Sequence, residues 1–218
     1  DIKDLVISGE NTIVVRVQDA TDTQQPRGKQ RWMNENFGCW YVQTTGIWKS
    51  VWMEYVGAEH INSLKITPQY TDGIVEIEAD IETKIDNCDL VLEAEVTYDG
   101  KLIRTTSYQI SQKRANFTMD LCREDIFEWG IKSWTPTQPN LYDLKLVLYN
   151  VDVACDMVYS YFGMREIRID NENILLNGSP IYQRLILDQG YWRESHLTPP
   201  SEEALIEDIN KIKVLGYN

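Results

Sequence analysis

Apolar and polar residues alternate with period two along much of the chain. Ile13, Val15 and Val17 alternate with Val14, Arg16 and Gln18, and Val75, Ile77, Ala79 and Ile81 alternate with Glu76, Glu78, Asp80 and Glu82. Successive side chains on a strand point to opposite faces, so each run predicts a strand with one buried face. Leu90, Leu92, Ala94, Val96 and Tyr98 form the next such face, and Asp99-Gly100 then leads into Lys101 to Ile110. Asp-Gly between two alternating runs predicts a hairpin. Phe117, Met119 and Leu121 continue the pattern, followed by Tyr142 to Tyr149 and Ala154 to Tyr161. With Asn62 to Thr67 as the first, seven short strands fall within residues 58–165, spaced as in an immunoglobulin-like sandwich of about 100 residues. The cysteines do not supply the inter-sheet disulfide of antibody domains, so the expectation concerns architecture only.

The flanks read differently. Residues 1–57 carry one clear strand, a polar loop from Ala20 to Asn36, and an aromatic segment ending in Val51-Trp52-Met53-Glu54-Tyr55-Val56, too little to close a sandwich. Trp48 and Trp52 are spaced for one face of a strand and are expected to pack on a neighbouring sheet. At the other end, Ile181 to Leu187 predicts an apolar strand, and the period changes after Pro199-Pro200. Leu205, Ile209, Ile212 and Leu215 then recur at helical spacing behind Ser201, a good N-cap, with acidic residues in the first turn, Lys211 and Lys213 near the end, and Gly216 as the stop. Strand, loop and helix in that order are the opening of a β/α repeat.

Composition narrows the partners. Twenty-one Lys and Arg against thirty-four Asp and Glu give a net charge of −13, which repels a phosphate backbone, so nucleic acid is not expected. No apolar run approaches the roughly 20 residues of a membrane helix, and no membrane partner is expected. Cys39, Cys88, Cys122 and Cys155 lie far apart and only two histidines are present, which argues against a local zinc site and for buried or half-buried free thiols. The alternating acids Glu76, Glu78, Asp80 and Glu82 read as a solvated sheet face rather than a calcium site. Neither a metal nor a cofactor is expected. Asn116 and Asn177 head glycosylation sequons, which matter only in a secretory eukaryotic setting. The chain starts at Asp1 without Met and stops just after the helix, as a piece of something longer would.

Three stretches resemble one family. Thr44-Thr45-Gly46-Ile47-Trp48-Lys49-Ser50-Val51-Trp52 resembles the TGIW(R/K)xVW segment that closes the first sandwich of glycoside hydrolase family 2, the β-galactosidase, β-glucuronidase and β-mannosidase family. Trp134-Thr135-Pro136-Thr137-Gln138-Pro139-Asn140-Leu141-Tyr142 is similar to its WxPxxPxLY motif. Phe162-Gly163-Met164-Arg165, followed by Leu176-Asn177-Gly178-Ser179-Pro180 and Arg184, is similar to its FGxR…LNGxPxxxR segment. The resemblance implies a mainly β chain: partial jelly-roll strands at 1–57, an immunoglobulin-like β-sandwich at 58–165, and the first β/α unit of a (β/α)8 barrel at 166–218. Pro136 and Pro139 fix φ at a corner that turns Leu141 and Tyr142 back into the core.

The family cleaves terminal glycosidic bonds with retention, using two carboxylates on later barrel strands. The resemblance therefore implies no catalytic residue in this chain, which would be an inactive scaffold with a carbohydrate as substrate of the full-length enzyme. Asn34-Glu35 reproduces the dipeptide of the family's acid/base residue but lies in the polar loop, so Glu35 is not assigned. Loops at the carboxyl ends of barrel strands build the site, which marks Asp188, Tyr191 and Trp192 as candidate substrate contacts, with Arg184 beneath them as the strand arginine. Packing of Tyr191 and Trp192 against another domain is the structural alternative. The cluster Arg27-Gly28-Lys29-Gln30-Arg31-Trp32 stands as a solvated or interdomain loop, or as a contact for an anionic or extended aglycone. A competing reading of the whole is a non-catalytic carbohydrate-binding or adhesin-type module, which leaves the segment after the last sandwich strand unexplained. The helix at 201–215 has an apolar face without a partner here and is expected to be disordered, docked on the sandwich, or paired with another molecule; homo-oligomers, including non-native self-association, follow from the last outcome and from open strand edges at 1–57.

Overall fold

The computed structural model describes residues 2–25, 28–84, 90–128 and 130–218. Arg27 of the basic cluster and Cys88 lie outside the described residues. Two compact units are present, residues 54–185 with Asn218 and residues 1–53 with 186–217.

The first unit holds seven sandwich strands: β1 (His60–Gln69), β2 (Ile74–Glu82), β3 (Leu90–Tyr98), β4 (Lys101–Gln109), β5 (Arg114–Asp120), β6 (Tyr142–Asn150) and β7 (Val153–Phe162). One sheet has the order β1-β2-β5 and the other β4-β3-β6-β7. All their pairings are antiparallel. The fourth strand stays beside the third, whereas in constant-type immunoglobulin domains it joins the opposite sheet. The alternating residues that predict the strands are those that meet between the sheets: Val75, Ile77, Ala79 and Ile81 face Leu90, Leu92, Ala94 and Val96, with Phe117, Met119, Leu144, Leu146 and Leu148 completing the core. Each buried Leu or Ile contributes about 1.5–3 kcal/mol, which decides the register, because a one-residue slip would turn the whole set to solvent.

Asp99 and Gly100, at φ 49° and 71°, supply the two left-handed positions of the β3–β4 turn. On the outer face of β2, Asp80 accepts hydrogen bonds from Ser63 Oγ and Arg114 Nε, both at 2.8 Å, and Glu78 pairs with Lys65. These partners hold the Asp80 carboxyl below its usual range, the Ser63 hydrogen bond being the main cause. The stripe is thus an ion-paired, water-facing surface.

Tyr142, the first residue of β6, is fully buried and stacks on Phe162 with ring centroids 5.4 Å apart. Its hydroxyl accepts the Lys132 backbone N–H at 2.7 Å, and burial pushes its pKa up to about 12. A buried tyrosine tied to upstream backbone at this point of a sandwich serves as a tyrosine corner does. The preceding segment is the expected corner: Thr135 and Gln138 exchange backbone hydrogen bonds at 2.9 and 3.1 Å, and Asn140 Nδ2 donates to the Ser133 carbonyl at 2.8 Å. Leu141 departs from expectation, being 44 % exposed, because alternation allows only one of two consecutive residues to face the core.

A small three-stranded sheet follows, β8 (Ile167–Asp170), β9 (Asn173–Leu176) and β10 (Ser179–Pro180), in the order β10-β9-β8. Asn177 and Gly178, at φ 51° and 78°, form the expected turn between β9 and β10. Asn177 also fixes this sheet to the sandwich corner: Oδ1 accepts from Glu166 N–H and Nδ2 donates to the Trp134 carbonyl, both at 3.0 Å. Arg165 lies over the Trp134 ring at 4.5 Å in the same joint. The side-chain amide of this sequon asparagine is consequently engaged, while Asn116 on β5 is exposed.

Three expected strands are not present. Residues 13–17, 44–56 and 181–187 form no strand, the Ile181 N–H donating to the Ile174 carbonyl at 2.9 Å but no ladder continuing beyond it among the described residues, and Trp48 and Trp52 are 56 % and 76 % exposed instead of packed on a sheet. Alternation makes a strand only where backbone N–H and C=O groups find a second strand. Of the predicted β/α unit, the helix is formed here, while residues 181–187 take no strand assignment. That helix, α1 (Glu202–Val214), is capped by Ser201, whose side chain accepts from Ala204 N–H at 3.2 Å. Its apolar residues Leu205, Ile206 and Ile209 are exposed, and none of its residues is buried. Of the described thiols, Cys155 is half-buried as expected, whereas Cys39 and Cys122 are exposed.

Candidate functional site

The segment marked for substrate contact lies in the second unit as a tight loop. Asp188 is exposed, and its Oδ1 accepts from Gly190 N–H at 2.7 Å, closing a turn in which Gly190 takes φ 65°. A carboxylate reaching its own backbone two residues on is the usual way Asp shapes a turn. Trp192 is half-buried, and its backbone exchanges hydrogen bonds with His196 at 2.7 and 3.0 Å, folding residues 192–196 into a compact bend. Arg184 belongs to the other unit. Its side chain is exposed, and its backbone N–H and carbonyl are both engaged by Asn218, at 2.7 and 3.1 Å. The structure thus gathers Asp188, Tyr191 and Trp192 on one loop.

Tyr191 brings in residues the sequence did not single out for this role. Its ring meets Tyr41 edge-on at 5.1 Å, and its hydroxyl donates to the Lys29 carbonyl at 3.0 Å. The Lys29 ammonium lies 5.4 Å from the centre of the Tyr191 ring and donates to the Gln189 carbonyl. Burial pushes the Tyr191 phenol above its ordinary pKa. The Lys29 strip is held in turn by the bridge between Gln30 and Tyr41, with Arg31 N–H donating to the Tyr41 carbonyl at 3.4 Å and Tyr41 N–H to the Lys29 carbonyl at 3.3 Å. Beside it Trp32, Phe37 and Trp40 form an aromatic cluster with centroids 4.8–5.3 Å apart. The basic cluster was the sequence signal for this contact. Its lysine, although exposed, meets a backbone carbonyl and a ring. Glu35, which is not assigned a catalytic role, is exposed in the same loop.

Among the described residues the sandwich unit carries open clefts of about 370 and 500 Å3. The first runs between Gly73, Cys122 and Ile131 on one side and Glu166, Arg168 and Asn177 on the other; the second lies beside Asp80, Tyr108 and Lys113. Neither includes Arg184, Asp188, Tyr191 or Trp192.

Comparison with known proteins places these features. The sequence profile of Glycosyl hydrolases family 2 matches residues 59–165, the sandwich. A protein named as a putative beta-glucuronidase from Formosa agariphila is 26 % identical over 226 residues, an alignment covering 100 % of this chain and 25 % of that protein. A beta-galactosidase from Lactobacillus delbrueckii subsp. bulgaricus is 26 % identical over 185 residues, covering 82 % of this chain and 17 % of its own. The chain therefore spans about a quarter or less of these relatives. Among solved structures, Bacteroides uniformis beta-glucuronidase 2 superimposes with a TM-score of 0.60 at 23 % identity, over 75 % of this chain and 21 % of that one. A beta-glucuronidase from Ruminococcus gnavus gives 0.56 at 15 % identity, over 74 % and 25 %. These structural likenesses concern the fold alone, and it is the profile match that places the sandwich, residues 59–165, in glycosyl hydrolases family 2.

Proposed function

We propose that the protein to which this chain belongs hydrolyses terminal β-glycosidic bonds of carbohydrates with retention, and that these 218 residues are its non-catalytic scaffold. The profile match over the sandwich carries the reading, supported by relatives named as a glucuronidase and a galactosidase. In a retaining glycosidase two carboxylates about 5 Å apart act as proton donor and nucleophile. Among the described residues the carboxylates shifted below their ordinary range are held as surface acids are: Asp80 by Ser63 and Arg114, Asp125 by Arg123, and Glu203 by backbone and Ser201 at the start of α1. The catalytic pair is assigned to the rest of the enzyme, and this chain to its architecture, residues 1–57, 58–165 and 166–218 contributing to three successive domains.

Within that architecture the loop 188–192 borders the sugar site. Asp188 spends one carboxylate oxygen on its turn and presents an exposed group able to accept sugar hydroxyls, and Trp192 offers an apolar face for sugar C–H groups. Arg184 enters the proposal on its sequence motif alone. Replacing Asp188 by Ala in the full-length enzyme is expected to lower kcat/KM on its best nitrophenyl glycoside by about tenfold or more, the loss of a charge-assisted hydrogen bond to substrate. An unchanged kcat/KM would overturn this placement of the loop.

A further inference from the structure

We propose that Lys29 and Tyr41 are positioning residues for the loop 188–192, so that the segment before the sandwich sets the pose of the substrate loop that follows it. The inference rests on the reading that this loop borders the sugar site, but its structural half stands on contacts alone. Four interactions join the two segments: the Lys29 ammonium to the Gln189 carbonyl, the same ammonium over the Tyr191 ring, the Tyr191 hydroxyl to the Lys29 carbonyl, and the Tyr41 ring against Tyr191. Residues 29–41 and 189–191 are about 150 positions apart in sequence and belong to one compact unit.

Their chemistry explains why a lysine and two tyrosines are used. A loop that turns through Gly190 leaves backbone carbonyls that need donors, and Gln189 receives one from a cation, the stronger kind of hydrogen-bond donor. Tyr191 is two-ended: its ring gives Tyr41 an edge contact and Lys29 a π-face, while its hydroxyl returns to backbone. The three groups therefore fix the backbone on both sides of Gly190, between Asp188 and Trp192. With Tyr191 turned onto Lys29 and Tyr41, Asp188 and Trp192 are left as the loop's groups for a ligand. A group that acts on binding by holding another in place changes KM when removed, since the cost falls on ordering the loop around substrate.

The test uses the full-length enzyme carrying Lys29→Met, Lys29→Arg, Tyr41→Leu or Asp188→Ala, with amide exchange read by mass spectrometry beside kinetics. Lys29 is exposed, so its replacement leaves the folded core intact, as unchanged exchange in β2, β3 and β6 verifies. Lys29→Met is expected to speed exchange of Gly190 and Tyr191 by roughly tenfold, the loss of one charged hydrogen bond, and to raise KM about three- to tenfold with kcat within twofold. Lys29→Arg, which keeps a cationic donor, restores both, and Tyr41→Leu reproduces the methionine effect. Unchanged exchange in Lys29→Met and Tyr41→Leu overturns the clamp. Faster exchange with unaltered KM, while Asp188→Ala does impair the enzyme, overturns the positioning role and leaves the sugar-site reading standing. If Asp188→Ala is silent the sugar-site reading fails, and exchange alone still decides whether the clamp exists.

Discussion

Replacing Tyr142 by Phe tests the sandwich at its corner. The phenol is fully buried, its oxygen accepts the Lys132 N–H at 2.7 Å, and burial raises its pKa from the ordinary value of about 10 to about 12. Since the folded state resists losing this proton, the stability it lends is complete below pH 10 and is withdrawn as pH rises from 10 to 12. A shift of two units corresponds to about 3 kcal/mol in full, and linkage places about 2 kcal/mol of that loss by pH 11.5. Phenylalanine removes the titrating group, and it strips Lys132 N–H of its acceptor, at a cost of about 1–3 kcal/mol near pH 8. Urea unfolding followed by far-UV circular dichroism, at pH 8 and pH 11.5, measures both. Eleven other tyrosines titrate in each protein, so the informative quantity is the gap between native and Tyr142→Phe chains. That gap is expected to narrow by about 2 kcal/mol at the higher pH. A gap that keeps its size would show that the folded state does not oppose ionisation of Tyr142 and would refute the reasoning from burial.

Two other substitutions probe the joints around the sandwich. Asn177→Gly keeps a residue suited to φ 51° but removes the bonds to Glu166 N–H and the Trp134 carbonyl. Exchange in β8 and β9 should accelerate by about tenfold or more, with β2 and β3 unchanged, as local loosening of about 1–3 kcal/mol requires. Gly73→Ala meets two obstacles, a left-handed φ of 68° and a Cβ that would run into Cys122 Sγ. A loss of at least about 2 kcal/mol is expected by urea melts, and combining it with Cys122→Ala should recover only the steric part, leaving about 1–2 kcal/mol of backbone strain.

The contrast between β2 and residues 13–17 shows what in this chain was legible from sequence. Both alternate cleanly, and by period alone they are the same prediction. Val75, Ile77, Ala79 and Ile81 are buried because β1 and β5 lie on either side of β2 and the opposite sheet covers its face. Ile13, Val15 and Val17 have no such neighbours among the described residues and stay exposed. Periodicity reports which face a segment would bury, and the partner decides whether it is buried at all. The same distinction separates the helix at 202–214, whose backbone bonds are internal and which forms with its apolar side uncovered, from residues 181–187, whose bonds must come from another strand. It also explains the uneven legibility of the candidate site. Asp188 and Gly190 advertise a turn through local chemistry, and a reader of the sequence finds them. The grip of Lys29 and Tyr41 on Tyr191 joins residues some 150 positions apart, and nothing in the spacing of either segment encodes it. What did hint at it was a lone basic cluster in a chain of charge −13, whose lysine meets a backbone carbonyl and an aromatic face.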